Sequence, residues 1–285
     1  MRIAAAFLTL AAASAAELPI KGLLYSAFRV TDTNRAREFY TGVLGFSEAF
    51  NVQGATYYKV NDDQYAVTLE GGRKGQPDRF SHLALEVSSV AETRKALTER
   101  GITSTETRTA PDGTWFTSIT DPDGHRIDFV EVVATSTMAG RRTWAVSKSR
   151  LSSRLSHTGI TVADEAKALA FYRDKLGFTE FWRGGPNDAT ISWINLRMPG
   201  ARGDYVELML TRGQKPTADQ LGSMQHICLE TPDIQETWRR LKIRGVADTE
   251  RFRPRIGRNK RWLSNLYDPD GTRVEFMEPN VAPTK

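Results

Sequence analysis

Short runs in which apolar and polar residues alternate recur along the chain. Residues 190–196 read TISWINL and residues 204–210 read DYVELML. Because successive side chains of a β-strand point to opposite faces of the sheet, this alternation predicts strands with one buried face. In the run DPDGTRVEF at residues 268–276, Pro and Gly favour a tight turn, and the strand that follows places Arg273 and Glu275 on one face. The carboxylate of Glu275 is therefore predicted to be held rigidly.

Other segments place apolar residues at helical spacing between a capping residue and a glycine. Asp164 can cap a helix that ends at Gly177. Ser89 and Glu92 have the spacing of a capping box in front of another helix, which Gly101 follows. A strand is predicted before each helix and further strands after it, which indicates a βαβββ unit.

The whole pattern of predicted strands and helices occurs twice along the chain. The matching segments are 30–46 with 162–178, 80–102 with 224–246, and DPDGHRIDF at 121–129 with DPDGTRVEF at 268–276. A repeat of this length indicates duplicated structural units. We therefore predict an α+β fold of four βαβββ modules, two in residues 22–133 and two in residues 155–278. The polar, basic segment 134–154 between them is predicted to be an interdomain linker.

The first 16 residues differ from the rest of the chain. Arg2 precedes an apolar run that is too short to span a membrane, and small residues follow it. This order predicts a signal peptide over residues 1–16, and with it a periplasmic or secreted protein. An alanine-rich N-terminal helix is the alternative. No later segment has the length and apolarity of a transmembrane helix.

The composition is that of a globular protein with a core, since 40% of the 285 residues are hydrophobic and 26% are charged. Cys228 is the only cysteine, which excludes an intrachain disulfide. The net charge of +5 permits acidic partners, but the sequence contains no recognisable nucleic-acid-binding motif, so no nucleic-acid partner is predicted.

Four segments of the second half carry a resemblance to a known family: HTGITVAD followed by FYRDKLGF, DYVELML, MQHICLE and DPDGTRVEF. In these segments the chain resembles the vicinal oxygen chelate superfamily, which includes glyoxalase I, bleomycin- and fosfomycin-resistance proteins, and extradiol dioxygenases. The resemblance implies two tandem glyoxalase-like domains with curled mixed sheets. It also implies a cup that holds one divalent metal ion and receives a small-molecule substrate.

The resemblance implies a ligand set for that ion in the second half, from the first and last strands of each module. The positions that match are His157, Glu207, His226 and Glu275. Two imidazoles and two carboxylates suit Zn, Ni, Mn, Co or Fe(II) and leave coordination positions open.

The first half departs from the family pattern at the same positions. Tyr25 replaces the first histidine, Val67 (or Ala66) replaces the first glutamate, His82 is retained, and Asp128 replaces the last glutamate. We therefore expect the first half to keep the fold without the site. In an alternative arrangement the modules pair across the halves, and His82 and Asp128 meet His157 and Glu207.

Three functions are compatible with this family. The first is a lyase or isomerase that stabilises an enediolate-like charge, in which Glu207 or Glu275 shuttles a proton as the catalytic group. The second is an Fe(II) extradiol-type ring-cleaving dioxygenase with a triad of His157, His226 and Glu275. The third is a non-catalytic protein that sequesters a small molecule.

Residues 251–262 read RFRPRIGRNKRW, a strongly basic segment. Arg251, Arg253 and Arg255 alternate, which predicts three guanidinium groups on one side of an extended chain. Either a solvated basic loop or a clamp for an anionic substrate is compatible with this pattern. The turn residue His125 is expected to be exposed. Most of a set of four tryptophans are expected in the core: Trp182, Trp193, Trp238 and Trp262.

Overall fold

Each half of the chain folds into one eight-stranded mixed sheet. The computed structural model describes residues 17–75 and 79–283. The predicted signal peptide, residues 1–16, lies outside the described residues. Within them, no helix is both long enough and apolar enough to cross a membrane.

The first sheet has the strand order β2-β3-β4-β1-β5-β8-β7-β6. Its elements are β1 Ile20–Arg29, α1 Thr33–Arg37 (continued by a π-helical turn, Glu38–Val43), β2 Ser47–Val52, β3 Ala55–Lys59, β4 Tyr65–Leu69, β5 Phe80–Val87, α2 Val90–Glu99, β6 Arg108–Thr109, β7 Trp115–Thr120 and β8 Arg126–Glu131. A short helix, α3 Thr137–Arg142, follows it.

The second sheet repeats this order as β10-β11-β12-β9-β13-β16-β15-β14. Its elements are β9 Arg154–Val162, α4 Glu165–Leu169 (continued by a π-helical turn, Ala170–Lys175), β10 Thr179–Gly184, β11 Trp193–Arg197, β12 Tyr205–Leu210, α5 Ala218–Met224, β13 His226–Glu230, α6 Ile234–Ile243, β14 Arg255–Ile256, β15 Arg261–Tyr267 and β16 Arg273–Val281. The predicted α+β fold of four βαβββ modules is confirmed.

The predicted helix caps form. The carboxylate of Asp164 accepts a hydrogen bond from the backbone N–H of Lys167, and the hydroxyl of Ser89 accepts one from Glu92. Each side chain accepts from a backbone N–H of the first helical turn that has no partner within the helix. Such a capping bond stabilises the helix. Helices α1, α2, α4 and α6 contribute their apolar side chains to the core that they form with the sheets.

The two modules of one half pair with each other. Strand β1 runs antiparallel to β5, and β9 runs antiparallel to β13, in the middle of the two sheets. The alternative in which modules pair across the halves is therefore wrong for this chain. Each half can build a cup only from its own residues.

The predicted linker, residues 134–154, packs against the first domain. It contains α3, and the side chain of Met138 from this helix lies in the apolar cluster of the first half. The ammonium group of Lys59 is buried and donates to the backbone carbonyls of Arg142 (2.7 Å) and Trp144 (2.6 Å) at the end of the helix. These contacts fix the start of the segment on the first sheet.

The repeated DPDG turn joins the halves reciprocally. In the second half, Asp270 of the turn accepts hydrogen bonds from the backbone N–H (3.0 Å) and the hydroxyl (2.6 Å) of Thr31. In the first half, Asp123 of the turn accepts one from the backbone N–H of Ala163 (2.8 Å). Thr31 and Ala163 are equivalent positions in the repeat. The duplicated turn therefore also docks each half on the end of the first strand of the other.

This docking corrects one expectation from the sequence. The turn residue His125 is not solvent-exposed, since only 10% of its side chain is accessible. Its Nδ1 lies 2.9 Å from a carboxylate oxygen of Asp121, and its Nε2 lies 3.5 Å from the hydroxyl of Thr161 in the other half. The turn is covered because it lies between the domains.

Gln64 lies at the centre of the contact between the halves and is buried. Its Nε2 donates to the carbonyl of Leu155 (2.8 Å), and its Oε1 accepts from the N–H of the same residue (3.0 Å). A neighbouring bond runs from the N–H of Leu23 to Asp204 (3.0 Å). The amide of Gln64 thus satisfies a backbone donor and acceptor at the start of the second domain.

Replacement of Gln64 by Leu should lower the free energy of unfolding by about 2–4 kcal/mol, because it leaves both backbone groups of Leu155 buried and unpaired. Urea denaturation of the full chain measures this change. The matched control is Gln235→Leu at an exposed helix position, which should change stability by less than about 0.5 kcal/mol. Equal stability of the two variants would contradict this role of Gln64.

Candidate metal centre

Four neighbouring strands bring the four predicted ligands to one point. His157 lies on β9, Glu207 on β12, His226 on β13 and Glu275 on β16, and these strands are consecutive in the sheet order β12-β9-β13-β16. One ligand atom from each residue lies within 4.8 Å of every other. All four residues are buried or nearly so. Among the described residues, this cluster of metal-capable groups is found in the second half alone.

The distances between the ligand atoms fit one ion. The two Nε2 atoms of His157 and His226 are 3.1 Å apart. His226 Nε2 lies 3.5 Å from Glu207 Oε2 and 3.3 Å from Glu275 Oε2, and His157 Nε2 lies 4.0 Å from both carboxylates. Atoms at about 2.1 Å from a shared ion are about 3.0–4.2 Å apart, depending on the angle between them.

Backbone groups set the orientation of His226. Its Nδ1 lies 2.8 Å from the carbonyl oxygen of Met224 at the end of α5. A carbonyl can only accept, so Nδ1 carries the proton and Nε2 directs its lone pair toward the centre. On the other side, the ring of Tyr205 stacks on His157 at 4.3 Å. Both imidazoles are therefore held with Nε2 inward.

Gly159 makes room for the His226 ring. A Cβ atom at this position would lie 2.1 Å from His226 Nδ1 and Cε1, which no packing adjustment of a fixed ring can relieve. Gly159 is opposite His226 in the β9–β13 register. The first half has Ala27 opposite His82 at the equivalent position. Sequence reasoning missed this glycine, although the repeat alignment contains the difference.

The electrostatics of the site keep the imidazoles neutral. Burial, then the charge of His226, lowers the pKa of His157 well below its usual range. Burial and the nearby guanidinium of Arg273 lower the pKa of His226. Neutral imidazole is the form that binds metal ions.

The two carboxyl groups differ. Burial and the charge of Glu275 raise the pKa of Glu207 to about 8. Burial also opposes ionisation of Glu275, but the charge of Arg273 and the contact with His226 outweigh it and lower its pKa to about 2. Ionisation of one carboxyl group disfavours ionisation of the other, as is typical of neighbouring carboxyl groups that share no cation.

Arg273 is a site residue that was not assigned a role from sequence. Its Nη2 lies 2.7 Å from His226 Nε2 and 3.6 Å from Glu275 Oε2. The sequence contained an indication of this position, because Arg273 and Glu275 are two residues apart and therefore lie on one face of the strand. In the first half the equivalent Arg126 donates to both carboxylate oxygens of Asp128, each at 2.7 Å.

The equivalent positions of the first half do not form a comparable cluster. His82 Nε2 lies 3.6 Å from Asp128, and Tyr25 packs edge-on against the imidazole at 5.6 Å. Burial lowers the pKa of His82 to about 4. Val67 contributes only an apolar side chain. A histidine and an aspartate remain, and Arg126 already neutralises the aspartate.

A cavity of about 710 Å³ lies beside the cluster, and two of the four ligands, Glu207 and Glu275, line it. Glu207, Glu275 and Arg273 form its floor, and Trp182 and Trp193 line one wall. The opposite wall is the loop around β14, with three cationic side chains: Arg255, Arg258 and Lys260. Trp238 is buried in the core, and Trp262 packs against it.

The prediction that three arginines alternate on one side of an extended segment is wrong, because β14 contains only Arg255–Ile256. Arg251 lies over the ring of Tyr267, with its guanidinium carbon 3.9 Å from the ring centre. Arg253 pairs with Asp248 at 2.7 Å. Of the three guanidinium groups, that of Arg255 lines the cavity above the metal centre.

Comparisons with known proteins agree with this geometry. The family model of the Glyoxalase/Bleomycin resistance protein/Dioxygenase superfamily matches residues 22–129 and 154–276. An ethylmalonyl-CoA/methylmalonyl-CoA epimerase from Cereibacter sphaeroides is 31% identical over 136 residues, which are 44% of this chain and 97% of the relative.

Two solved structures share the fold of the chain. The Mn(II)-bound glyoxalase from Novosphingobium aromaticivorans aligns with a TM-score of 0.69 at 16% identity, over 92% of this chain and 83% of that protein. Homoprotocatechuate 2,3-dioxygenase from Brevibacterium fuscum, in complex with 3,4-dihydroxyphenylacetate, aligns with a TM-score of 0.67 at 20% identity, over 92% and 82%. Because the family model covers most of both sheets, and the epimerase matches over nearly its whole length, the chain belongs to the Glyoxalase/Bleomycin resistance protein/Dioxygenase superfamily.

Proposed function

We propose that the chain is a divalent-metal-dependent isomerase or lyase that transfers a proton on a small substrate with two neighbouring oxygen atoms. The observation that carries this proposal is the pair of glutamates, Glu207 and Glu275, which meet the two histidines at one point and also form the floor of a cavity. His157 and His226 would hold the ion, and Zn, Ni, Mn, Co or Fe(II) suits this donor set.

The bound ion would supply Lewis-acid stabilisation of negative charge on the substrate oxygens. Glu207 and Glu275 come from strands on opposite sides of the β9–β13 pair, so they approach a substrate carbon from two sides. Either carboxylate can accept the proton of that carbon and return it. Trp182 and Trp193 restrict water at this position.

The epimerase among the relatives supports a proton transfer, since epimerisation removes and restores a proton at carbon. The dioxygenase alternative lacks such support, because the solved dioxygenase is 20% identical and shows the fold alone. The four-ligand centre also contains one carboxylate more than a facial triad needs. The second half contains no histidine besides His157 and His226. A sequestering protein needs no such ligand set.

The substrate is proposed to carry an anionic group at the end remote from the metal. Arg255 and Lys260 face the cavity and make no ion pair among the described residues, whereas Arg258 pairs with Asp188 across the opening. Guanidinium and ammonium groups without a carboxylate partner favour a carboxylate or phosphate of the ligand.

The first test of the function is metal binding. The full chain should bind about one divalent ion, and His226→Ala should remove most of it, because the substitution removes a ligand that the Met224 carbonyl already orients. His82→Ala in the first half is the matched control and should retain the ion. Metal content after dialysis measures both. Equal loss in the two variants, or in neither, would refute the assigned site.

A second test uses the difference between the halves. Glu275→Asp should lower metal affinity and any turnover together, because the shorter side chain withdraws its oxygen by roughly 1 Å from an ion that needs about 2.0–2.2 Å. Asp128→Glu should create no second site, since Arg126 and Tyr25 occupy the equivalent position. Titration of both variants with Mn(II) distinguishes the outcomes. Full affinity in Glu275→Asp would show that Glu275 is not a ligand.

The anionic end of the substrate is tested with two probes that share an oxo-acid group. 2-Oxoglutarate has a second carboxylate, and 2-oxovalerate has an uncharged end. The metal-loaded chain should bind 2-oxoglutarate about tenfold more tightly, as a charge-assisted contact predicts. The double variant Arg255→Gln, Lys260→Gln should lose this preference, whereas Arg253→Gln, outside the cavity, should keep it. No preference in the unmodified chain would count against an anionic substrate.

A further inference from the structure

Two asparagines stand beside the two metal-site glutamates. Asn195 on β11 is directly opposite Glu207 on β12, and Asn265 on β15 is directly opposite Glu275 on β16. Residues opposite each other in an antiparallel pair lie on the same face with Cβ atoms about 4.5–5.5 Å apart. Both amides are therefore on the face of the sheet that carries the site, in equivalent positions of the two modules.

Both amides are buried, and the oxygen atom of each lacks a hydrogen-bond partner in the described structure. Asn195 is 3% exposed and Asn265 is 6% exposed. The Oδ1 atom of each is inaccessible and has no hydrogen-bond partner among the described residues. Native proteins pair the large majority of such atoms. The described residues contain thirteen unpaired ones, and these two stand apart because they occupy equivalent positions opposite the two site glutamates.

The first half contains a version of the same pair with its hydrogen bond formed. Ser118 on β7 is directly opposite Asp128 on β8, at the position equivalent to Asn265 and Glu275. The hydroxyl of Ser118 donates to Asp128 Oδ1 at 2.6 Å. A donor on the side chain at this cross-strand position can therefore reach the carboxylate of the neighbouring strand.

We infer that Asn195 and Asn265 are positioning residues that donate from Nδ2 to Glu207 and Glu275 and aim one oxygen of each carboxylate at the metal. The inference rests on the proposed function. An ionised carboxylate only accepts hydrogen bonds, so it selects the N–H side of an amide.

An amide suits this role better than the other polar groups of its size. Aspartate would add a third negative charge beside two buried carboxylates, which repel each other already. Asparagine donates a hydrogen bond without adding charge. Groups that orient metal ligands in this way typically change metal affinity or activity by about 10–100-fold when they are removed.

The test compares Asn265→Leu with Asn265→Ser in the full chain. Leucine keeps the volume and removes the donor, and serine restores the donor that the first half uses. Mn(II) affinity should fall at least about tenfold in the leucine variant and recover by most of that factor in the serine variant. The thermal midpoint should not fall in the leucine variant, because an unsatisfied buried amide has been replaced by an apolar group.

Asn195→Leu should reproduce the loss on the other side of the centre, and Ser118→Ala in the first half is the matched control that should leave Mn(II) affinity unchanged. Undiminished affinity in both leucine variants would overturn the inference and leave the metal site standing. A chain that binds no divalent ion before substitution would overturn the proposed function and this inference with it. Lower affinity with a lower thermal midpoint and no rescue by serine would make the asparagines structural and refute the positioning role.

Discussion

The antiparallel pairing of β9 with β13 is the interaction on which the site depends. It joins the two modules of the second half, and its register places Gly159 opposite His226 and His157 opposite Cys228. The two histidines are therefore diagonal neighbours on one face, with their Nε2 atoms 3.1 Å apart. Strands β12 and β16 flank this pair on either side and supply the glutamates. A shift of one residue in either strand would turn its histidine to the opposite face of the sheet, so this register is required for the site.

The first half keeps this architecture and uses it for another purpose. Its cup is filled by a cluster of apolar and aromatic side chains, and Met138 from the connecting helix completes the cluster. Arg126 and Ser118 both donate hydrogen bonds to the carboxylate of Asp128. The duplicated turns persist in both halves because each docks on the other domain. The first half therefore contributes docking contacts to the second half, and the DPDG turn has this structural role in both halves although the four-residue cluster is present in the second.

Strand alternation, helix caps and the internal repeat were enough to predict the four modules, and the resemblance to the family implied the four residues that converge. Which modules pair with each other could not be predicted in this way, because strands pair through backbone groups that every residue has. The same limit explains the errors at His125, which is covered by the other domain, and at Arg251 and Arg253, whose segment is not a strand. The positions of Asn195 and Asn265 opposite the two glutamates follow from the cross-strand register, which the sequence alone does not give.

The charges of the site also favour a bound cation. Two neutral imidazoles and two carboxyl groups are buried at one point, and Arg273 is the cation within 4 Å of both carboxyls in the described structure. One guanidinium cannot offset two carboxylates, and the raised pKa of Glu207 beside the lowered pKa of Glu275 expresses that imbalance. We propose that a bound divalent ion would let both glutamates ionise, because it would offset the second carboxylate that Arg273 leaves unbalanced. The ion would then supply positive charge for the oxygens of a substrate, and Glu207 and Glu275, which line the cavity, would lie within reach of its carbon.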